Sequence, residues 1–166
     1  GALVATGQGT LAWRFFEIDN GELYCTVYGA SGNIYKMDDS GVFQSTGQTP
    51  GYYTGQKVWN GGHYAVTYGG DLYLKDESGV FQATGLLTSQ GNKNFLGLDI
   101  DHTTGNLVIA RDGDTCLQVT TGGDVSSLGS TSRDYADVCD DGERLWAVTS
   151  GGLLYCLGYP GDFCEM

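Results

Sequence analysis

Apolar and polar residues alternate along this chain with a period near two, and glycine interrupts the alternation every few residues. The stretch FFEIDNGELYCTVYGASGNIYKMDDSGVFQSTG divides into four strand-like runs: FFEID, ELYCTVY, NIYKMD and VFQST. Their separators, NG, GASG and DSG, are hairpin connections in which Gly, Asn and Asp supply the backbone conformations that a tight reversal needs. The next stretch, QKVWNGGHYAVTYGGDLYLKDESGVFQATG, repeats the four runs in the same order. Tyr24 aligns with Tyr64, Tyr28 with Tyr68, and Phe43 with Phe81. The octapeptide SGVFQSTG at Ser40 returns 38 residues later as SGVFQATG at Ser78. No long 3.6-residue apolar stripe occurs, which excludes a helical solenoid.

Two further units follow, FLGLDIDHTTGNLVIARDGDTCLQVTTGGDVSSLG and YADVCDDGERLWAVTSGGLLYCLGYPGDFCEM. The turn glycines Gly21, Gly61, Gly105 and Gly142, which open the second strand of each unit, lie 40, 44 and 37 residues apart. A four-stranded meander repeated at roughly 40 residues has the period of a propeller blade. The expected fold is all-β: a small β-propeller of about four four-stranded antiparallel blades, one domain over residues 1–166. Blade boundaries are expected at 8–47, 48–85, 86–129 and 130–166. The opening GALVATG, residues 1–7, reads as one more copy of the outermost strand, placed to close the ring against the fourth blade. GDFCEM at the other end also aligns with GVFQST, so five outer-strand segments serve four blades. Either one end adds a redundant strand, or the chain is cut from, or assembles into, a larger ring.

The segment LDIDHTTGNLVIARDGD resembles the blade signature of NHL and YWTD-type propellers, in which an inner strand ends in Asp, a TG turn follows, and NL opens the second strand. GNIYKMDDSGVFQSTG resembles the third strand, turn and fourth strand of an NHL-like blade. The YWTD tetrad itself is absent, its place being held by LVIA, Leu107 to Ala110, and those families usually carry five or more blades. The resemblance implies the fold and leaves the function open.

Composition narrows the function classes. The 28 glycines against 2 prolines fit frequent tight turns. With 20 acids against 8 bases the net charge is −12, and no Lys/Arg cluster exists to neutralise phosphates, so no nucleic-acid partner is expected. No apolar run reaches the roughly 18–20 residues of a spanning helix, so no membrane insertion is expected. The five cysteines show no CxxC spacing; free thiols are expected rather than a zinc site, with one bridge left open. The first residue is Gly rather than Met, which points to processing or excision from a longer protein.

Candidate chemistry falls in three places. The turns between first and second, and between third and fourth, strands share one rim and carry most of the acids; they suit either plain turn formation or a cation or basic partner. They lack the D-x-D-x-D-G pattern of a calcium loop. The opposite rim holds the long links between blades, with Trp13, Arg14, Tyr52, Tyr53, Lys57, Asn92, Lys93, Asn94, Arg133 and Tyr135. Aromatic, amide and cationic side chains on a rigid ring make a surface for a protein or glycan partner, or for packing beneath the loops themselves. The inner strands should place Glu17 and Asp99 at equivalent channel positions, with Asp137 close by; these carboxylates could take Ca²⁺ or Mg²⁺. No cofactor is required by any motif: the two histidines sit in different blades, and no G-x-S-x-G, HExxH, P-loop or dinucleotide fingerprint is present. The expected function is a non-enzymatic structural or interaction module of an extracellular or virion or tail assembly, with possible self-association. A carbohydrate-binding propeller is the alternative, and a metal-dependent hydrolase or lactonase-like propeller a minor one.

Overall fold

The structure is a computed structural model that describes residues 12–27, 32–48, 51–90, 94–157 and 163–165. Among the described residues, sixteen strands form four antiparallel four-stranded sheets, each a meander in chain order. The first blade consists of β1 (Trp13–Asp19), β2 (Glu22–Val27), β3 (Ile34–Met37) and β4 (Phe43–Ser45). The second is β5 (Tyr53–Trp59), β6 (Gly62–Thr67), β7 (Leu72–Lys75) and β8 (Phe81–Ala83). The third is β9 (Phe95–Ile100), β10 (Leu107–Arg111), β11 (Asp114–Val119) and β12 (Val125–Arg133). The fourth is β13 (Tyr135–Asp140), β14 (Leu145–Thr149), β15 (Leu154–Leu157) and β16 (Phe163–Glu165). Between β8 and β9 lies a single 3₁₀ turn, Thr88–Gln90, and no α-helix occurs among the described residues.

The expected β-propeller of four blades is thus the observed fold. The turn chemistry behaves as read: Asn20 and Gly21, and likewise Asn60 and Gly61, both have positive φ, the pattern of a two-residue type I′ hairpin. Blade 3 differs in one respect. The link expected after residue 129 is strand, because β12 continues to Arg133 and pairs with Asp114 across a register shift. The proposed closing strand at residues 1–7 lies outside the described residues.

Alternate residues of each sheet face opposite neighbours, so each blade boundary is an apolar joint. Tyr24 and Ile34 of blade 1 pack on Tyr53, Ala65 and Phe81 of blade 2. Val66 and Leu72 of blade 2 pack on Leu98, Leu107, Ile109 and Leu117 of blade 3. Val108, Ala110 and Cys116 of blade 3 pack on Tyr135, Val138, Leu145 and Ala147 of blade 4. Two glycines set how closely inner strands approach: a Cβ on Gly55 would stand 2.4 Å from a Leu98 methyl, and one on Gly97 would stand 3.2 Å from the Asp137 Cα. Polar contacts stitch the same joints. Thr54 Oγ1 donates to the Phe95 carbonyl at 2.6 Å, and Trp59 Nε1 donates to the Gly105 carbonyl at 2.7 Å.

Candidate functional site

Every inner strand carries a bulge near its start, at one level in blades 2 to 4 and one residue nearer the turn in blade 1. Pairing skips Phe15 in β1, Thr54 in β5, Leu96 in β9 and Ala136 in β13. A bulge leaves one residue out of the ladder and turns its side chain away from the sheet. In blade 1 the distortion is greatest, with Phe15 at φ 34°, a left-handed conformation costly for an aromatic residue. All four bulge residues line one cleft of about 290 Å³, together with Arg14, Tyr52, Tyr53 and Tyr68. Residues from four blades therefore converge on a single mouth.

The aromatic wall of the cleft is ordered by its own contacts. The Tyr52 and Tyr68 rings lie 5.3 Å apart and tilted by 55°. Asn94 Nδ2 donates to the Tyr68 hydroxyl at 2.9 Å and to Asp112 Oδ2 at 3.2 Å. Tyr53 is buried against Tyr73, and burial, with the neighbouring Tyr73, pushes its hydroxyl up to about 12. Arg14 stays exposed at the cleft edge.

Of the rim residues expected from sequence, the structure brings Arg14, Tyr52 and Tyr53 together here, with Asn94 beside them on Tyr68, and places Trp13, Lys57, Arg133 and Tyr135 elsewhere. Trp13 packs edge-on to Tyr35 at 5.3 Å and on Phe43 at 5.1 Å, within blade 1. Tyr135 is buried in the joint between blades 3 and 4. Arg133 Nε donates to the Tyr155 hydroxyl at 3.1 Å. Asn92 and Lys93 lie outside the described residues. The sequence reading did not select Phe15, Thr54, Leu96, Ala136 or Tyr68. The only signal for the first four was one surplus residue in each inner strand, which strand alternation alone does not locate.

The channel positions form a second, charged site. Glu17, Lys57, Asp99 and Cys139 hold the same register place in the four inner strands, opposite Tyr24, Tyr64, Val108 and Trp146. Lys57 Nζ lies 2.7 Å from Asp99 Oδ1, while Asp99 Oδ2 accepts the Asp140 backbone N–H at 2.9 Å. Burial would lower the Lys57 pKa, yet the hydrogen bond and charge of Asp99, with Glu17 adding, hold it above the ordinary value. Burial raises the Glu17 pKa above its ordinary value, opposed by the Lys57 charge. Asp137 is raised as well, by burial and then the Asp99 charge. Among the described residues, Glu17, Asp99 and Asp137 do not bring three ligand atoms within 4.8 Å of one another; Asp101, His102 and Asp140 do. In that group, His102 Nδ1 meets Asp140 Oδ2 at 2.6 Å, and Asp101 accepts from Thr103 and Thr104 of its own turn.

Two turn acids at equivalent positions, Asp38 and Asp76, bond within their own turns. Asp38 accepts from the Ser40 hydroxyl, the Val42 N–H and the Gln44 amide, which together lower its pKa to about 2. Asp76 makes the same bonds in blade 2. These carboxylates cap turns, the role in which Asp is commonest.

No family model matches the chain, and no curated protein sequence matches it. Solved structures do. A candidate gluconolactonase superposes with a TM-score of 0.76 at 10% identity, covering 97% of this chain and 64% of its own. The extracellular domain of the candidate one-component system BT4673 from B. thetaiotaomicron gives 0.71 at 18% identity, covering 93% of this chain and 22% of its own. PorZ, a surface component of the type-IX secretion system of Porphyromonas gingivalis, gives 0.60 at 10% identity, over 96% of this chain and 23% of its own. This chain thus spans under two thirds of each of these proteins. At such identities the likeness establishes one thing: the chain has the β-propeller fold.

Proposed function

We propose that this chain is a non-enzymatic interaction module that seats a protein partner at the bulged mouth, within a larger extracellular or cell- or particle-surface assembly. The observation that carries this reading is the convergence of the four bulged inner-strand residues and of Arg14, Tyr52, Tyr53 and Tyr68 on one cleft. Tyrosine and arginine contribute disproportionately at protein interfaces, since they present large contact area with few rotors and planar donors. A rigid series of packed blades carrying them on its rim holds that area in place before binding. Among the described residues no helix is long and apolar enough to cross a membrane. An extracellular domain and a secretion-system surface component among the structural neighbours support an exterior setting. The Lys57–Asp99 pair favours a non-enzymatic reading, because an internal cation already neutralises the carboxylate that a channel metal would need.

A glycan is the second reading, favoured by the tilted Tyr52–Tyr68 pair beside the Asn94 amide, a ring platform next to planar hydrogen-bonders. Photo-crosslinking in the native assembly tests both. A photoreactive phenylalanine at position 68 is expected to capture one discrete polypeptide, while the same group at position 77, on the opposite rim, captures none. Equal capture from both positions, or none from either, refutes the protein-partner reading. Saturable binding on a glycan array that is lost in Tyr52→Ala would establish the second reading in its place.

A further inference from the structure

The two end faces of the blade series stand apart from the internal ones. Phe16 in β1 occupies the register position held by Gln56 in β5, Leu98 in β9 and Val138 in β13. Those three are buried in joints with the preceding blade, whereas Phe16 is 56% exposed, and Ile18 two residues on is 64% exposed. At the other end, Leu154 in β15 occupies the position held by Ile34 in β3, Leu72 in β7 and Cys116 in β11. Those three are fully buried in joints with the following blade, whereas Leu154 is 45% exposed, with exposed Leu153 beside it. Among the described residues, four of the six exposed large apolar side chains lie at these two ends. Among the described residues, apolar cores join blades 1 to 2, 2 to 3 and 3 to 4, and none joins 4 to 1.

We infer that these faces are the two halves of a fourth joint, made between two copies of this chain. The occupant follows from the joints already present. Three times in succession the chain packs a following-blade face of the Leu154 type against a preceding-blade face of the Phe16 type. The missing joint continues that series, and its two halves are both carried by every copy. Each copy offers blade 4 to the other's blade 1, so a pair related by a two-fold axis makes two identical joints and leaves no end face open. A head-to-tail contact of this kind closes into a ring when the rotation fits and otherwise polymerises. Closure yields eight blades. The apolar character of Phe16, Ile18, Trp146 and Leu154 suits burial on both sides. This pairing is independent of what occupies the bulged mouth.

Mass measurement by light scattering on the full chain tests it. The expected particle is twice the 17.7 kDa chain. Ile18→Arg and Leu154→Arg each put a charge into every joint, so each alone should weaken pairing by about 30-fold or more, the scale of an interface hot spot. Both positions are exposed in the single copy, so the fold should persist by circular dichroism. Mixing the two variants is the decisive step: a mixed pair keeps one joint free of either substitution, so 1:1 association should return and stop at two chains. A wild type that stays monomeric, pairing that survives both substitutions, failure of the mixture to re-associate, or open-ended polymer overturns the closed pair.

Discussion

His63 is placed to make this propeller acid-labile in a defined window. Its side chain is buried in the first blade joint, edge-on to Tyr24 at 4.8 Å and to Phe81 at 5.0 Å, with neither ring nitrogen hydrogen-bonded. Burial pushes the imidazole from its ordinary 6.5 down to about 4, against the opposing charge of Asp19. The folded pKa lies below the unfolded one, so the unfolded chain takes up the proton first. Stability is therefore complete above pH 6.5 and is lost as the pH falls towards 4. The gap between 6.5 and about 4 amounts to about 3 kcal/mol at pH 4, a large share of the roughly 5–15 kcal/mol that holds a domain folded. His63→Phe keeps a ring between Tyr24 and Phe81 and removes the titration. Urea unfolding of both proteins at half-unit steps from pH 7.5 to 4 should show the wild type losing about 3 kcal/mol more than the variant, with the midpoint of that extra loss inside the window. Asp38, whose pKa is about 2, titrates largely below it and equally in both proteins. Parallel curves for the two proteins would refute the reasoning.

Other outcomes follow from the same geometry. Leu72→Ala empties a fully buried joint position and should cost about 2–5 kcal/mol in urea titration, while Leu154→Ala, at the same blade position but exposed, should cost under about 1 kcal/mol at concentrations where the chain is a single copy. Gly61→Ala forces a Cβ onto a residue at φ 76° in the Asn60–Gly61 turn and should lower stability by roughly 1 kcal/mol, with no change in the dichroism spectrum. The proposed channel cation site competes with Lys57 for Asp99 and Glu17. Ca²⁺ or Mg²⁺ should therefore raise the melting temperature more in Lys57→Met than in the wild type, and the increment should vanish on adding Glu17→Gln with Asp99→Asn; equal shifts in all three would remove the site.

The repeated strand runs and their turn residues determined the sheets. Period-two alternation can bury one face only as a strand, and Asn20–Gly21 and Asn60–Gly61 adopt the positive φ values that their residue types allow most cheaply. Local rules of this kind act over a few residues, so the chain states them directly. The channel charges were half legible for the same reason: Glu17, Lys57 and Asp99 sit at fixed distances from their turns. In blade 4, however, register rather than proximity put Cys139 at that level, with Asp137 two residues before it. Tertiary structure alone decided the rest. Tyr52, Tyr53 and Tyr135 read alike as link aromatics, yet Tyr52 is half-exposed at the cleft, Tyr53 is buried beneath the same cleft and Tyr135 is buried in a blade joint, because side-chain fate depends on which neighbouring blade lies against each face. The bulged mouth needed four inner strands laid side by side. Likewise Leu72 and Leu154 are the same residue at the same place in the repeat, one buried and one exposed, since burial belongs to the joint between blades and not to the blade.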